Sequence, residues 1–297
     1  MRKRLLLLSI FLVGHAAPSA ATTLYPGLRE KSTDDIILAG LAALYPGRIL
    51  QTPPIVPTPA TAEKKPFQVT LSGNVAYWRF YQISSALPAP ATQPRMLIVD
   101  LRYLQTGPEQ TIDCLNFSFQ IFGTIPRLKA LGNYPLPAAS FASAESTPGR
   151  IVVLVNHKTA GPIESVLADL QARGKIILIG TASAGQTASY QPIEKQPGWW
   201  CVSGEIQPET QPGSHVGIGV IPQIRVEVSP ENDLLAWQWL ERGAPPESLL
   251  RHKTPRDRSV SDQSAPEENP GTDIVLQRGY DILAALQIVE NMTAFRR

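Results

Sequence analysis

The chain has 297 residues, 43% of them hydrophobic and 18% charged, with a formal net charge of +2; this is globular composition with room for one large buried core. The near-neutral balance supplies no strong field for nucleic acid, and only two cysteines, Cys114 and Cys201, exclude both a disulfide framework and a cysteine-rich metal centre. Its 28 prolines outnumber its 21 glycines and gather near 53–66, 135–148 and 245–270, which marks those stretches as loops or linkers.

At the N-terminus, Arg2, Lys3 and Arg4 precede an apolar run over 5–13, and Ala16, Ala17, Ser19, Ala20 and Ala21 follow. That is the order of a secretory signal peptide, with cleavage expected after Ala21. The run is shorter than the roughly 20 residues that span a bilayer, so no integral membrane segment is expected once the signal is removed. Export, to the periplasm or outside the cell, is the expectation.

Residues 34–44 have helical apolar spacing, with Ser32 or Thr33 placed to cap the helix and Pro46-Gly47 to stop it. The stretch 51–65 is proline, threonine and alanine with two lysines and cannot bury enough to fold alone. Residues 22–66 therefore read as a short helix and a proline-rich tether, and 67–297 as one domain. Within that domain, 67–71 and 75–81 are β-rich runs around Ser72-Gly73-Asn74, a hairpin signal. The continuous apolar run 95–101 predicts a strand covered on both faces, of the parallel-sheet kind.

A helix over 111–122 carries Leu115, Phe119 and Phe122 on one side, and a strand at 151–155, a helix at 163–172 and a strand at 175–179 follow. This alternation predicts an α/β fold. Shorter β segments at 189–193, 199–206 and 221–228 are expected as an antiparallel addition. Residues 241–271, charged and proline-rich, read as a mobile loop, and 273–290 as a terminal helix.

Residues 151–191 resemble the C-terminal processing peptidases, or tail-specific proteases, a serine peptidase family with a crotonase-like α/β core. In that family a buried strand ends in Val-Asn, two residues intervene, and Thr-Ala-Ser-Ala-Ala-Glu opens a helix. Val155-Asn156, Thr159-Ala160 and Glu164 match, while Gly161 stands at the nucleophile position and Pro162 follows it. A strand, a glycine and a Thr-x-Gly-Lys-Gly turn come next in the family. Gly180 and Gly185 fit that frame, and Gln186 occupies the position of the lysine base.

Asp100-Leu101-Arg102 resembles the family's Asp-Leu-Arg strand end, but the Asn-x-Pro-Gly-Gly that should follow is reduced to a stretch ending in Thr106-Gly107. Residues 217–222 resemble its Gly-x-Gly-Ile-x-Pro segment, and 273–286 its closing helix. The resemblance leaves no room for the PDZ domain that many members insert.

What the resemblance implies is a crotonase-like core whose catalytic unit has lost its parts. A serine-lysine peptidase needs a hydroxyl at the strand-helix turn, a neutral lysine to take its proton, and backbone N–H donors for the oxyanion. Gly161 has no side chain, Gln186 is no base, and the changed turn at Gly107 removes an oxyanion donor. If the turn itself keeps its shape, Gly161→Ser with Gln186→Lys is expected to regain part of the reactivity.

Ser183, in a Thr-Ala-Ser-Ala stretch, is the alternative nucleophile, and His157 with Asp100 or Glu164 completes an imaginable triad. Against it stands the reading of Ser183 as a structural loop serine and His157 as an exposed one. Ser165 reads as an inert helix serine, and His215 and His252 have no metal-ligand spacing. Trp199-Trp200 reads either as a peptide-facing pair or as a strand pair packing one indole inward.

No cofactor or metal is expected. The expected role is an exported, catalytically inactive relative of tail-specific proteases that binds peptide or protein segments, an active homologue included; a peptidase working through Ser183 is the alternative.

Overall fold

The computed structural model describes residues 33–51, 65–83, 94–136, 149–210, 213–250 and 272–294. The predicted signal peptide, most of the tether, and 251–271 with His252 lie outside the described residues.

Helix α1 (Thr33–Leu44) stops at Pro46-Gly47 as the sequence predicts and leads into β1 (Ile49–Leu50). The hairpin β2 (Phe67–Leu71) and β3 (Val75–Arg79) turns through Gly73 and Asn74, both at positive φ. Next come β4 (Met96–Asp100), α2 (Thr111–Phe122), β5 (Leu128–Gly132), β6 (Arg150–Val155), α3 (Pro162–Ala172) and β7 (Ile177–Gly180). The hairpin β8 (Ala188–Pro192) and β9 (Trp200–Pro208) follows, then β10 (Ile224–Arg225), α4 (Pro230–Glu241) and α5 (Ile274–Ala294).

The central sheet has the order β10-β7-β6-β4-β3-β2, and every neighbouring pair except the β2–β3 hairpin is parallel. This is the predicted α/β architecture. All of β4 is buried, because helices cover both faces of the sheet. On one face Leu97, Val99 and Val153 pack with Phe117 and Phe122 of α2 and Leu167 and Leu170 of α3. On the other, Tyr77, Ile98, Val152 and Leu154 pack with Ala236 and Leu240 of α4 and Leu276 and Leu283 of α5. A second, antiparallel sheet joins β1, β5 and β8 to β9. It docks on α3 through Ser165, whose Oγ donates to the Ile206 carbonyl at 2.8 Å.

Two expectations change. The 221–228 segment is not an antiparallel strand: Ile224 and Arg225 pair with Ile179 and Gly180 of β7 in parallel. Parallel neighbours need a crossover connection, and the β8–β9 hairpin is that connection, so the chain re-enters the first sheet in its original direction. Glu241 closes α4 instead of opening a loop, and Pro246–Leu249 forms a 3-10 turn that buries Leu249 and Leu250. Ser229 caps α4, its Oγ accepting from the Asn232 N–H, with Pro230 at the first helical position.

Candidate functional site

The candidate site lies where β4, β6 and β7 end, the edge at which open α/β sheets collect ligands. Asp100 closes β4 and Gly180 closes β7, while Asn156 follows the end of β6. The turn after β6 is fixed by its own polar side chains. Asn156 Oδ1 accepts from the Tyr103 and Lys158 N–H groups at 3.1 and 3.0 Å. Thr159 Oγ1 donates to the Leu101 carbonyl at 3.0 Å and accepts from the Asn156 N–H at 3.1 Å. Ala160 then joins the segment after β4 in a short parallel bridge: its N–H donates to the Leu104 carbonyl and its carbonyl accepts from Thr106 N–H, each at 2.9 Å.

That bridge brings Thr106 directly over Gly161. A Cβ at position 161 would stand 1.8 Å from the Thr106 carbonyl oxygen and 2.6 Å from its hydroxyl. Gly161 itself has φ 95 and ψ −159, a conformation that L side chains rarely adopt. The Thr106 hydroxyl donates to the Ala160 carbonyl at 2.9 Å and meets the Ile163 N–H at 3.4 Å, so the start of α3 is closed by the protein's own chain. A side chain at position 161 would require the Thr106 backbone to shift, which weighs against the expected recovery by Gly161→Ser with Gln186→Lys.

The backbone N–H groups that the resemblance implies for an oxyanion are absent or engaged as well. Pro162, after the nucleophile position, has no N–H. The Gly161 N–H is taken by Glu164 Oε1 at 2.9 Å and the Gly107 N–H by Gln110 Oε1 at 3.0 Å.

Glu164 is fully buried and receives four donors. Oε1 accepts from the Gly161 and Gln186 N–H groups at 2.9 and 2.7 Å; Oε2 accepts from the Gly185 N–H at 2.7 Å and the Ser183 hydroxyl at 2.5 Å. One carboxylate thus ties the nucleophile-position turn to the base-position turn. Burial pushes its carboxyl above the ordinary range, and the four hydrogen bonds pull against that rise. The Gln186 side chain is exposed.

Ser183 is buried, and its Oγ also accepts from the Val220 N–H at 2.7 Å. His157 is exposed on the β6–α3 turn. The structure joins Ser183 to Glu164 but brings neither His157 nor Asp100 into a Ser183 triad. Gly185, at φ 75, lets the Gly217–Gly219 backbone approach: a Cβ there would meet their nitrogens at 2.7–2.8 Å.

Beside this web lies a buried ionic cluster. Arg102 holds Asp100 with two parallel hydrogen bonds, Nε to Oδ1 at 3.0 Å and Nη2 to Oδ2 at 2.7 Å. Nη1 reaches Asp233 at 2.9 Å, and Nη2 reaches Asp273 at 2.8 Å. Tyr77 and Asn156 complete it, donating to Asp100 at 2.7 Å and to Asp233 at 2.6 Å. Burial alone would raise the Asp100 carboxyl, but the Arg102 charge and hydrogen bonds hold it below the ordinary carboxylate value. Asp273 caps α5, accepting from the Val275 and Leu276 N–H groups. The cluster therefore fastens α4 and α5 to the end of β4.

Trp199 is the inward indole, buried and donating to Asp35 at 2.9 Å, while Trp200 is half-buried. Cys114 and Cys201 are both free thiols. Asp233 escaped the sequence reading, because it sits in a helix of weak periodicity. Thr106 entered that reading as part of the changed turn ending in Gly107, and its contact with Gly161 did not.

A family model described as peptidase family S41 matches residues 76–226. Among solved structures the chain is similar to a photosystem II D1 C-terminal processing protease, with 17% identity, 52% of this chain and 42% of that one covered, and a TM-score of 0.40. It is also similar to a putative peptidase from Parabacteroides merdae, with 12% identity, 68% and 77% coverage, and a TM-score of 0.44. A lipoprotein from Streptococcus agalactiae is similar at 15% identity, 59% and 69% coverage, and a TM-score of 0.42. The chain spans 42% of the length of the first of these. No curated protein matches the sequence. Among the described residues, no helix is long and apolar enough to cross a membrane.

Proposed function

Because the chain belongs to peptidase family S41, we propose that it is an exported, catalytically silent member that acts by binding peptide or protein segments. One observation carries this reading: the Thr106 carbonyl fills the space into which a side chain at position 161 would project. Loss of the nucleophile alone costs about 10⁶ in turnover, with residual catalysis left to the oxyanion hole and binding. Here Pro162 and the engaged Gly161 and Gly107 N–H groups leave those positions without a free donor. Peptide or protein ligands are the class the family handles. Export rests on the charge and apolar order of residues 1–21.

The test incubates the full chain with unstructured peptides, following binding by fluorescence anisotropy and new termini by mass spectrometry. Retention without cleavage is expected, and repeated cleavage by the pure protein contradicts the reading. Expressed in a secreting host, the mature chain should begin at Thr22; recovery of an intact Met1 contradicts export.

A further inference from the structure

Arg79 ends β3 and is completely buried, yet among the described residues no carboxylate is hydrogen-bonded to it. Its Nη1 donates to the Trp237 carbonyl at 3.2 Å, and its Cζ lies 3.2 Å from the centre of the Trp237 ring and 4.8 Å from that of Tyr81. Nε and Nη2 have no hydrogen-bond partner. Those two nitrogens form one edge of the guanidinium, the edge that grips a carboxylate with two parallel hydrogen bonds. Arg102 uses the same edge in this protein, holding both oxygens of Asp100 with its own Nε and Nη2.

The plain alternative makes Arg79 a counter-charge for the three aspartates around Arg102. Its charge does help to hold Asp100 low, and Asp100 is its partner across the β3–β4 register. Even so, Arg102 and Tyr77 already bond both Asp100 oxygens, and the Arg79 Nε and Nη2 bond none of them. The guanidinium lies against aromatic rings instead. Tyr81 stacks edge-on against Trp237 with ring centres 5.8 Å apart, and the Tyr103 ring centre lies 4.9 Å from that of Trp237. Tyr81 and Tyr103 are both half-buried, so this wall reaches solvent. Tyr103 has a positive φ of 64, unusual for a side chain of its size. A buried cation with donors left over is costly unless an acceptor meets it.

We infer that Arg79 is the receptor for a single carboxylate group, which enters beside Tyr81 and lies along the Nε–Nη2 edge over Trp237. The inference does not depend on the peptide-binding reading, because acetate is a sufficient probe.

The experiment follows the Arg79 Nε–H resonance of the full chain, identified by its absence in Arg79→Gln, during titration with sodium acetate and, at matched ionic strength, sodium chloride. A saturable shift with acetate alone is expected, together with an acetate-dependent rise in melting temperature that Arg79→Gln abolishes. If Arg79→Gln does not fold, Tyr81→Ala keeps the guanidinium and opens the box, and the same rise is expected at lower acetate.

Equal responses to acetate and chloride, or an acetate response that survives in Arg79→Gln, overturn the inference. So does a Tyr81→Ala protein with no acetate response. Peptides with free or amidated C-termini, with or without one glutamate, then identify whether a chain terminus or a side chain supplies the carboxylate. A shift of this resonance by the amidated, glutamate-free peptide contradicts the assignment.

Discussion

Under the proposed function, Gly161 is where one residue decides the chemistry. Its missing hydroxyl is legible in the sequence, as is the amide at Gln186, because both fall at motif positions in a strand-turn-helix frame. The Thr106 wedge was not legible, since it arises from a bridge between two turns distant in the chain. Returning a side chain to position 161 combines a disfavoured φ with a backbone clash. Gly161→Ala is expected to cost roughly 2–4 kcal/mol in urea unfolding, from strain and overpacking together; a cost near zero would show that the Thr106 turn yields. Ser183 is expected to behave as a tie between Glu164 and Val220. Ser183→Ala should lose about 1.5–3 kcal/mol, as for a hydrogen bond to a charged group, and a neutral effect would contradict that role.

At the scale of elements, Arg102 links β4 to α4 and α5. Removing one partner of a buried ionic cluster leaves uncompensated charge, so Arg102→Met is expected to cost about 3–5 kcal/mol at neutral pH. Its stability should partly recover on acidification, as the stranded carboxylates take up protons. The wild type behaves in the opposite sense. Asp100, held below its ordinary 3.8 when folded, contributes stability that is fully present above that value. This contribution is lost as pH falls through the lower, folded-state value. Circular dichroism between neutral pH and strong acid reads both trends, and parallel acid profiles for the two proteins would contradict the role given to Arg102.

Elements with continuous apolar runs or clean helical spacing, β4, β6 and α2, were legible because one face or both are covered. The direction of β10 was not, because a two-residue edge strand carries no signal for parallel or antiparallel pairing. Helix α4 was missed: Ser229-Pro230 carries a start signal, but its apolar residues do not fall on one stripe.

For the whole molecule, the α/β class follows from alternating buried runs, and residues 67–297 are proposed as one folding unit. The face of the sheet under α5 buries Val275, Leu276 and Leu283 against β4, β6 and β7. A chain cut after Thr272 is therefore expected to lose cooperative unfolding, and a sharp melt from the truncated protein would show α5 to be dispensable. Core packing also separates the two thiols. Burial pushes Cys114 up to about 12, while Cys201 is half-buried on β9. Iodoacetamide should modify Cys201 alone in the native protein and both residues in urea; native modification of Cys114 would place α2 outside the core.

Under the proposed function, position 161 is closed as well as unarmed. Intact-mass analysis of the full chain and of Gly161→Ser with Gln186→Lys after treatment with a fluorophosphonate tests this most simply. No covalent adduct is expected on either protein, since the Thr106 carbonyl fills the space at position 161 and the flanking N–H donors are absent or engaged. A stoichiometric adduct on the wild type that disappears with Ser183→Ala, or one on the double variant at position 161, would contradict it.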